Sequence, residues 1–287
     1  MKIILWNFSA FALIVNNMSE TLHLFLLALL GSIVALVGGV TFLFKESWSD
    51  FLERHSVPFA AGVLLTVSLL GLLPEAVHLL GEAAFLVALV SLVGAYIFEH
   101  ILFKVHHHHA NRHSKSYESA IPLVIFGDTL HNLIDGVAIT SSFLINPGLG
   151  LVTAISTFLH EVPHEISDFG ILLKVGWKKK DILIVNVLSA STTIVGAFLV
   201  YYFLRGAQEI GTMLAFSAGL FLYLGASDFL PEVEKEGKRP LLAVVPLLLG
   251  VAVMYLTLNA VPHTHEGGDE HSEAPRSYEG ELLHTNE

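Results

Sequence analysis

The chain has 287 residues, 53% of them hydrophobic and only 14% charged, against about 25% charged in an average soluble domain. With a mean hydropathy of +0.66 it has too little polar surface to face water, so a bilayer is the expected solvent and an ordinary soluble enzyme is excluded. A formal net charge of −11 argues against nucleic acid, and the lack of cysteine removes disulfides, thiolate metal sites and cysteine nucleophiles. Histidine is unusually abundant, with 16 residues against 15 lysines and arginines.

Residues 1–20 form a separate N-terminal segment. Its apolar stretch Ile3–Val15 is too short to span, and two readings stay open: a signal-like or interfacial segment, or a true start at Met18. A spanning helix needs about 20 mostly apolar residues. Eight such runs follow within 21–261: Thr21–Phe44, Val57–Leu80, Ala83–Phe103, Ile121–Ile145, Leu149–Val175, Ile182–Leu204, Ile210–Pro231 and Pro240–Val261. They predict an all-α integral membrane protein of eight transmembrane helices. The short Asn146-Pro147-Gly148 break makes the fourth and fifth spans antiparallel neighbours.

Orientation follows from the basic residues. With the N-terminus outside, the inner loops hold twelve Lys and Arg residues, among them Lys45, Arg54, Lys104 and Lys178 to Lys180. Only Lys2, Arg205 and Arg276 fall outside. Both termini are therefore expected away from the cytoplasm. The loop 104–119 carries His106, His107, His108, His109 and His113, and the tail 262–287 carries His263, His265, His271 and His284. Neither has the apolar content to fold alone. The inner loop reads as a loose metal-capturing segment, whereas the tail reads equally well as a capture segment or as solvated chain.

Ionisable groups inside spans are costly and mark pathways or sites. Here they concentrate in the fourth span (Asp128, His131, Asn132, Asp135) and the fifth (His160, Glu161, His164, Glu165, Asp168). Elsewhere the exceptions are Glu75, His78, Glu99, His100 and Asp228. His131 and Asp135 share a helix face, as do His160 and His164. Counted out from Pro147 at about 1.5 Å per residue, both sets lie roughly 18–26 Å from the turn, near mid-membrane. Imidazoles and carboxylates meeting at one depth suit zinc and its first-row neighbours. Pro163 lies inside the cluster and is expected to kink the fifth span.

His160-Glu161-Val162-Pro163-His164 also has the H-E-x-x-H form of zinc proteases, in which the glutamate activates water. An intramembrane zinc metalloprotease is thus the enzymatic alternative. Against it stand Pro163 and a surplus of ligands, since a catalytic zinc keeps three protein ligands and an open position.

The pair His131-Asn132-Leu133-Ile134-Asp135-Gly136 and His160-Glu161-Val162-Pro163-His164-Glu165-Ile166-Ser167-Asp168 resembles the fourth- and fifth-span signature of the ZIP (Zrt/Irt-like) divalent metal transporters, closest to their histidine-rich zinc-uptake subfamily. The resemblance implies a transporter rather than an enzyme, carrying Zn2+ as its substrate, with Cd2+, Fe2+ and Mn2+ as alternatives. It implies a primary site from His131, Asp135, His160, Glu161 and His164. It also implies a second, adjacent metal in some members, sharing Asn132, Asp135 and Glu161 with a sixth-span glutamate. That glutamate falls on Thr193 here, a poor zinc ligand. Glu165 and Asp168 lie toward the cytoplasm and suit an exit route. The resemblance further implies inverted repeats of spans one to three and six to eight, and movement of one helix group against another.

The expected partners are a divalent metal ion and the lipid bilayer, with a homodimer left open. Compact length and short loops point to a bacterial inner membrane. Deleting His106–His109 is expected to change the rate of metal uptake without abolishing it; complete loss, measured in cells or vesicles, would place essential ligands in the loop.

Overall fold

A computed structural model describes residues 19–44, 46–107, 115–204, 206–230 and 240–261. Side chains are described for 19–41, 55–101, 121–204, 206–227, 229–230 and 244–261. The stretch Ile3–Val15, His108, His109, His113, the acidic tail and the side chains of His106, His107 and Asp228 lie outside these residues.

Every regular element among the described residues is helical. In chain order they are α1 (Glu20–Gly31), α2 (Val37–Phe44), α3 (Glu46–Val67), a π-helical turn (Ser68–Leu72), α4 (Leu73–Leu80), α5 (Ala83–His107), α6 (Lys115–Ile145), α7 (Pro147–Lys174), α8 (Lys179–Phe203), α9 (Ala207–Tyr223), a second π-helical segment (Leu224–Phe229) and α10 (Pro240–Ala260). Five stretches are long and apolar enough to cross a membrane: His55–Leu80, Ala83–Ile101, Ile121–Ile145, Lys179–Phe203 and Ala207–Ser227. The 28-residue α7 has the length but gives up apolar character to its ionisable residues. Exposed Phe85, Leu86, Leu89 and Val90 on α5, and Leu188, Val195 and Phe203 on α8, form faces that water would not tolerate and lipid would.

The first apolar run is broken where the sequence predicts one continuous helix. α1 stops at Gly31, and residues 32–36 make a turn before α2. Ser32 Oγ donates to the Ala28 carbonyl at 2.6 Å, a local bond that competes with the helix ladder. After the turn, Gly38 and Gly39 lie so close to α7 that a Cβ would meet Val162 and the Phe169 ring at 2.7 Å. The break thus seats α2 against α7 beside Pro163, and α7 continues through Pro163.

The first π-helical segment has a local cause: Pro74 has no N–H to give to the carbonyl four residues back, Leu70, which lies within it. The second spans Leu224–Phe229. Around them the chain repeats itself. Phe59, Ala61, Gly62, Leu65, Leu73, Pro74 and Glu75 recur in the same register as Phe216, Ala218, Gly219, Leu222, Leu230, Pro231 and Glu232. Their packing repeats too. Gly62 sits against the Leu247 carbonyl of α10, and Gly250 of α10 against the Phe59 carbonyl. In the second copy Gly219 sits against the Ala88 carbonyl of α5, and Ser91 Oγ donates to the Phe216 carbonyl at 2.8 Å.

A third close pair positions the polar residues. Gly136 of α6 packs on the Thr193 carbonyl of α8, and Gly196 of α8 on the Leu133 carbonyl of α6. In lipid there is no hydrophobic drive between helices, so close backbone approach through small residues and interhelical hydrogen bonds does the joining. Thr192 Oγ1 to the Thr129 carbonyl (2.9 Å) and Ser189 Oγ to Thr129 Oγ1 (3.2 Å) supply the bonds. A Gly136→Val variant forces the two backbones apart and is expected to cost about 1–3 kcal/mol. The check is a lower thermal midpoint in detergent, with Gly94→Val, which meets nothing within 4 Å, near wild type.

Candidate metal centre

The turn between α6 and α7 sets the register of the centre. Asn146 caps α7 in extended conformation, and its Oδ1 accepts from the Gly148 and Leu149 amides at 2.7 and 3.3 Å. Pro147 occupies the first turn, where its missing N–H is no loss. One capping residue therefore joins the helices, and they fold back as neighbours. Asp128, His131, Asn132 and Asp135 then lie along one face of α6, opposite His160, Glu161, His164, Glu165 and Asp168 of α7.

Four of these side chains converge. His131 Nε2 lies 2.8 Å from Glu161 Oε1, 3.3 Å from His160 Nε2 and 3.8 Å from Asp135 Oδ2. His160 Nε2 lies 3.3 Å from Asp135 Oδ2 and 3.8 Å from Glu161 Oε1. Ligands about 2.0–2.1 Å from a tetrahedral zinc stand about 3.3–3.4 Å apart, and the observed separations scatter around that edge. All four side chains are buried, His160 and Asp135 completely. Beyond the histidine nitrogens that face them, both Asp135 oxygens and Glu161 Oε1 have no hydrogen-bond partner. Leaving a buried carboxylate without hydrogen bonds or an opposite charge is expensive, so this arrangement suits a cation.

The rings are held in the orientation a metal needs. His160 Nδ1 lies 2.9 Å from the Ser156 carbonyl, which can only accept. Nδ1 therefore carries the proton, and the Nε2 lone pair points into the cluster. The Phe221 ring of α9 meets His160 edge-on at 5.4 Å and closes the opposite side.

The His164 ring, expected with this group, lies beside His131 at 5.0 Å between centroids, but its ligand atoms converge with a second set. Its Nδ1 faces Asp128 Oδ1 at 3.6 Å, and Asp128, His164 and Asp168 form a second convergence of ligand atoms. Asp128 also converges with Glu161 and Glu165, so it stands between the two groups. The H-E-x-x-H reading fails on this geometry. His160 and His164 do not face one centre, and Glu161 sits at a ligand position against His131.

Asn132 is engaged within the protein. Its Nδ2 donates to Asp128 Oδ1 at 2.9 Å and to the Asp128 carbonyl at 3.1 Å, while Thr193 Oγ1 donates to its Oδ1 at 3.0 Å. Thr193 is fully buried and acts on Asn132 as a hydrogen-bond donor. Asp128 is the residue whose role the sequence left unassigned. The signal for it was its spacing of three, four and seven from His131, Asn132 and Asp135, which puts it on their face.

A cavity of about 1250 Å3 opens between α5, α6, α7 and α9 and reaches Asp128, His131, His164 and Asp168. Glu99 and Tyr223 also line it, and the Tyr223 hydroxyl donates to Glu99 Oε2.

Thr193→Val keeps the volume but removes the donor to Asn132, which frees Asn132 and the Asp128 carboxylate it holds. Outer-shell losses of this kind weaken metal binding about 10- to 100-fold. Titration of purified protein with Cd2+ should show weakening in that range, with the melting midpoint near wild type.

Comparison with known proteins follows the same lines. Residues 116–258 match the sequence model of the family described as ZIP Zinc transporter. The chain is 36% identical over 137 residues to Zinc transporter foi of Drosophila melanogaster, covering 47% of this chain and 19% of that protein. It is 38% identical over 144 residues to Zinc transporter SLC39A7 of Rattus norvegicus, covering 47% of this chain and 31% of that protein. With Zinc transporter ZIP10 of Homo sapiens it shares 37% identity over 144 residues, or 46% of this chain and 17% of that protein. The matched region thus spans less than a third of each of these relatives. It contains both α6 and α7 with every residue of the buried cluster, and on this ground the chain belongs to the ZIP zinc transporter family.

Proposed function

We propose that the protein carries divalent cations, zinc first, across a membrane into the cytoplasm. The observation that carries this reading is the convergence of two imidazole nitrogens and two carboxylate oxygens, buried between α6 and α7 and spaced like the edges of a tetrahedron. The zinc transporter names of the relatives support the choice of metal; Cd2+, Fe2+ and Mn2+ are the competing ions. His131, Asp135, His160 and Glu161 act as the primary ligands, with His164 adjacent and Asn132 holding Asp128 in place. Glu165 and Asp168 take the ion onward. This is a transport activity, with no bond of a substrate made or broken.

The ion is drawn inward by a negative interior potential, which is worth about 2.3 kcal/mol per charge per 100 mV. A dication therefore gains about 4.6 kcal/mol per 100 mV. Shedding of its water is offset by carboxylates that have no other partner. The carrier is a single eight-span unit with both termini outside, and spans one to three and six to eight form inverted repeats. Support for the repeat comes from the shared register of Phe59–Glu75 and Phe216–Glu232, the matching glycine contacts and the paired π segments. In this orientation Glu99, Tyr223 and Asp168 lie toward the cytoplasm, and the cavity they line faces inward. The histidine-rich loop 104–119 gathers the released metal. We place the protein in a bacterial inner membrane, embedded in lipid, with a homodimer as the arrangement to test by mass measurement.

His131→Ala, His160→Ala and Glu161→Ala each remove a primary ligand. Zinc uptake into proteoliposomes with an imposed negative interior potential is expected to fall at least tenfold for each, with the protein still folded by gel filtration. Uptake at the wild-type rate in all three would refute the site.

A further inference from the structure

The four primary ligands differ in how water can reach them. Asp135 and His160 are fully buried, Glu161 is 1% exposed and His131 8%. Of the four, His131 alone lines the cavity between α5, α6, α7 and α9. On the α9 side stands Phe221, itself fully buried. Its ring meets His160 at 63° between planes and belongs to an apolar cluster with Ala138 of α6, Val152 of α7 and Leu64 of α3. Its neighbours Leu220 and Leu224 line the cavity and Phe221 does not, so the ring lies on the closed side of the centre.

Coordination number decides which ions such a centre favours. Zinc takes four ligands in a tetrahedron, whereas Mn2+ suits six oxygens in an octahedron. Here the protein brings two nitrogens and two oxygens, so a six-coordinate ion has to keep two waters. Each water needs room and at least two polar partners, and a packed aromatic ring offers neither.

We propose that Phe221 determines specificity: by keeping water off the metal on the α9 side, it holds the primary centre to four ligands and sets a preference for Zn2+ over Mn2+. This deepens the transport reading and rests on it for the identity of the cargo; the wall itself stands on the packing. Truncating the ring leaves a space that water can use. Ser217 lies one turn before Phe221 on the same face of α9, and its Oγ is buried with no hydrogen-bond partner. The Asp135 oxygens have only histidine nitrogens beside them. Hydroxyl and carboxylate together supply the polar partners that a water in that space requires. An apolar shell of this kind controls solvent access to a metal as surely as the ligands control its geometry.

The test uses Co2+, whose visible absorption is strong with four ligands and weak with six. The purified full chain is titrated with Co2+, and the spectrum of the His131→Ala/His160→Ala protein, which lacks the primary centre, is subtracted. Wild type is expected to give the strong band, which Zn2+ abolishes by displacement. Phe221→Ala should bind the same number of Co2+ ions, counted by equilibrium dialysis, with the band reduced severalfold. Its preference for Zn2+ over Mn2+, read by competition, should fall about 10- to 100-fold. Phe221→Leu keeps the wall apolar and should keep both band and preference. Leu214→Ala thins the same apolar cluster and should lower the melting midpoint with the band unchanged, which separates the wall from mere packing. A weak band in wild type with Co2+ bound overturns the proposal, and so does a Phe221→Ala protein with the wild-type band and preference. Phe221→Val, a smaller truncation, is read in the same way if Phe221→Ala does not fold. A strong, Phe221-dependent band in a protein that moves no metal would retire the transport reading and leave the wall. A weak band in a protein that transports normally would retire the wall only.

Discussion

Buried carboxylates facing imidazoles across the α6–α7 interface set the terms for the whole molecule. Charges of one sign cannot be packed at that depth without a counter-ion or a full set of hydrogen bonds. The groups nearest the Asp135 carboxylate are His160 Nε2 and His131 Nε2, at 3.3 and 3.8 Å, and no other hydrogen bond reaches it, so carboxylate and imidazoles alike lack a partner outside the cluster. A metal cation satisfies both demands at once. The other features of the interface follow from holding these groups at one level: the one-residue Asn146 cap, the antiparallel return and the orientation of His160 by the Ser156 carbonyl.

The helices that carry the site are joined to others by close backbone contact. α6 and α8 interlock through Gly136 and Gly196, α3 and α10 through Gly62 and Gly250, and α5 and α9 through Gly219 and Ser91. Such contacts are short and directional, so each pair behaves as a unit. α7 meets its neighbours in two ways: Gly38 of α2 sits on the Val162 carbonyl and Gly150 of α7 on the Phe143 backbone of α6, whereas a cavity opens against α5 and α9.

Local motif and tertiary role part company at two positions. His164 belongs by spacing to the same face as His160, and a helix wheel gives them one target. The wheel ignores the side chain's choice between neighbours, and Asp128 and Asp168 draw it along the helix. Thr193 looks like a missing ligand when it is compared with a glutamate. Its hydroxyl instead donates to Asn132, which in turn donates to Asp128, so Thr193 supports the polar cluster through hydrogen bonds.

Much of this was legible from the chain itself. Apolar runs of span length marked the five described stretches long and apolar enough to cross a membrane, because a helix that meets lipid must be apolar along its length whatever it packs against. The site helices announced themselves by the reverse argument, since His131, Asp135, His160 and Glu161 have no business in lipid unless they meet a partner, and the short Asn146-Pro147-Gly148 turn named that partner. The break after Gly31 was not legible, because it depends on how closely Gly38 and Gly39 approach Val162 and Phe169. The division of the polar residues into two groups was not legible either. Residue spacing settles which face of a helix a side chain occupies, but which atoms converge is decided by the distance and offset between helices, and here those are set by the Asn146 turn and by Gly150 of α7 packing on the Phe143 backbone of α6.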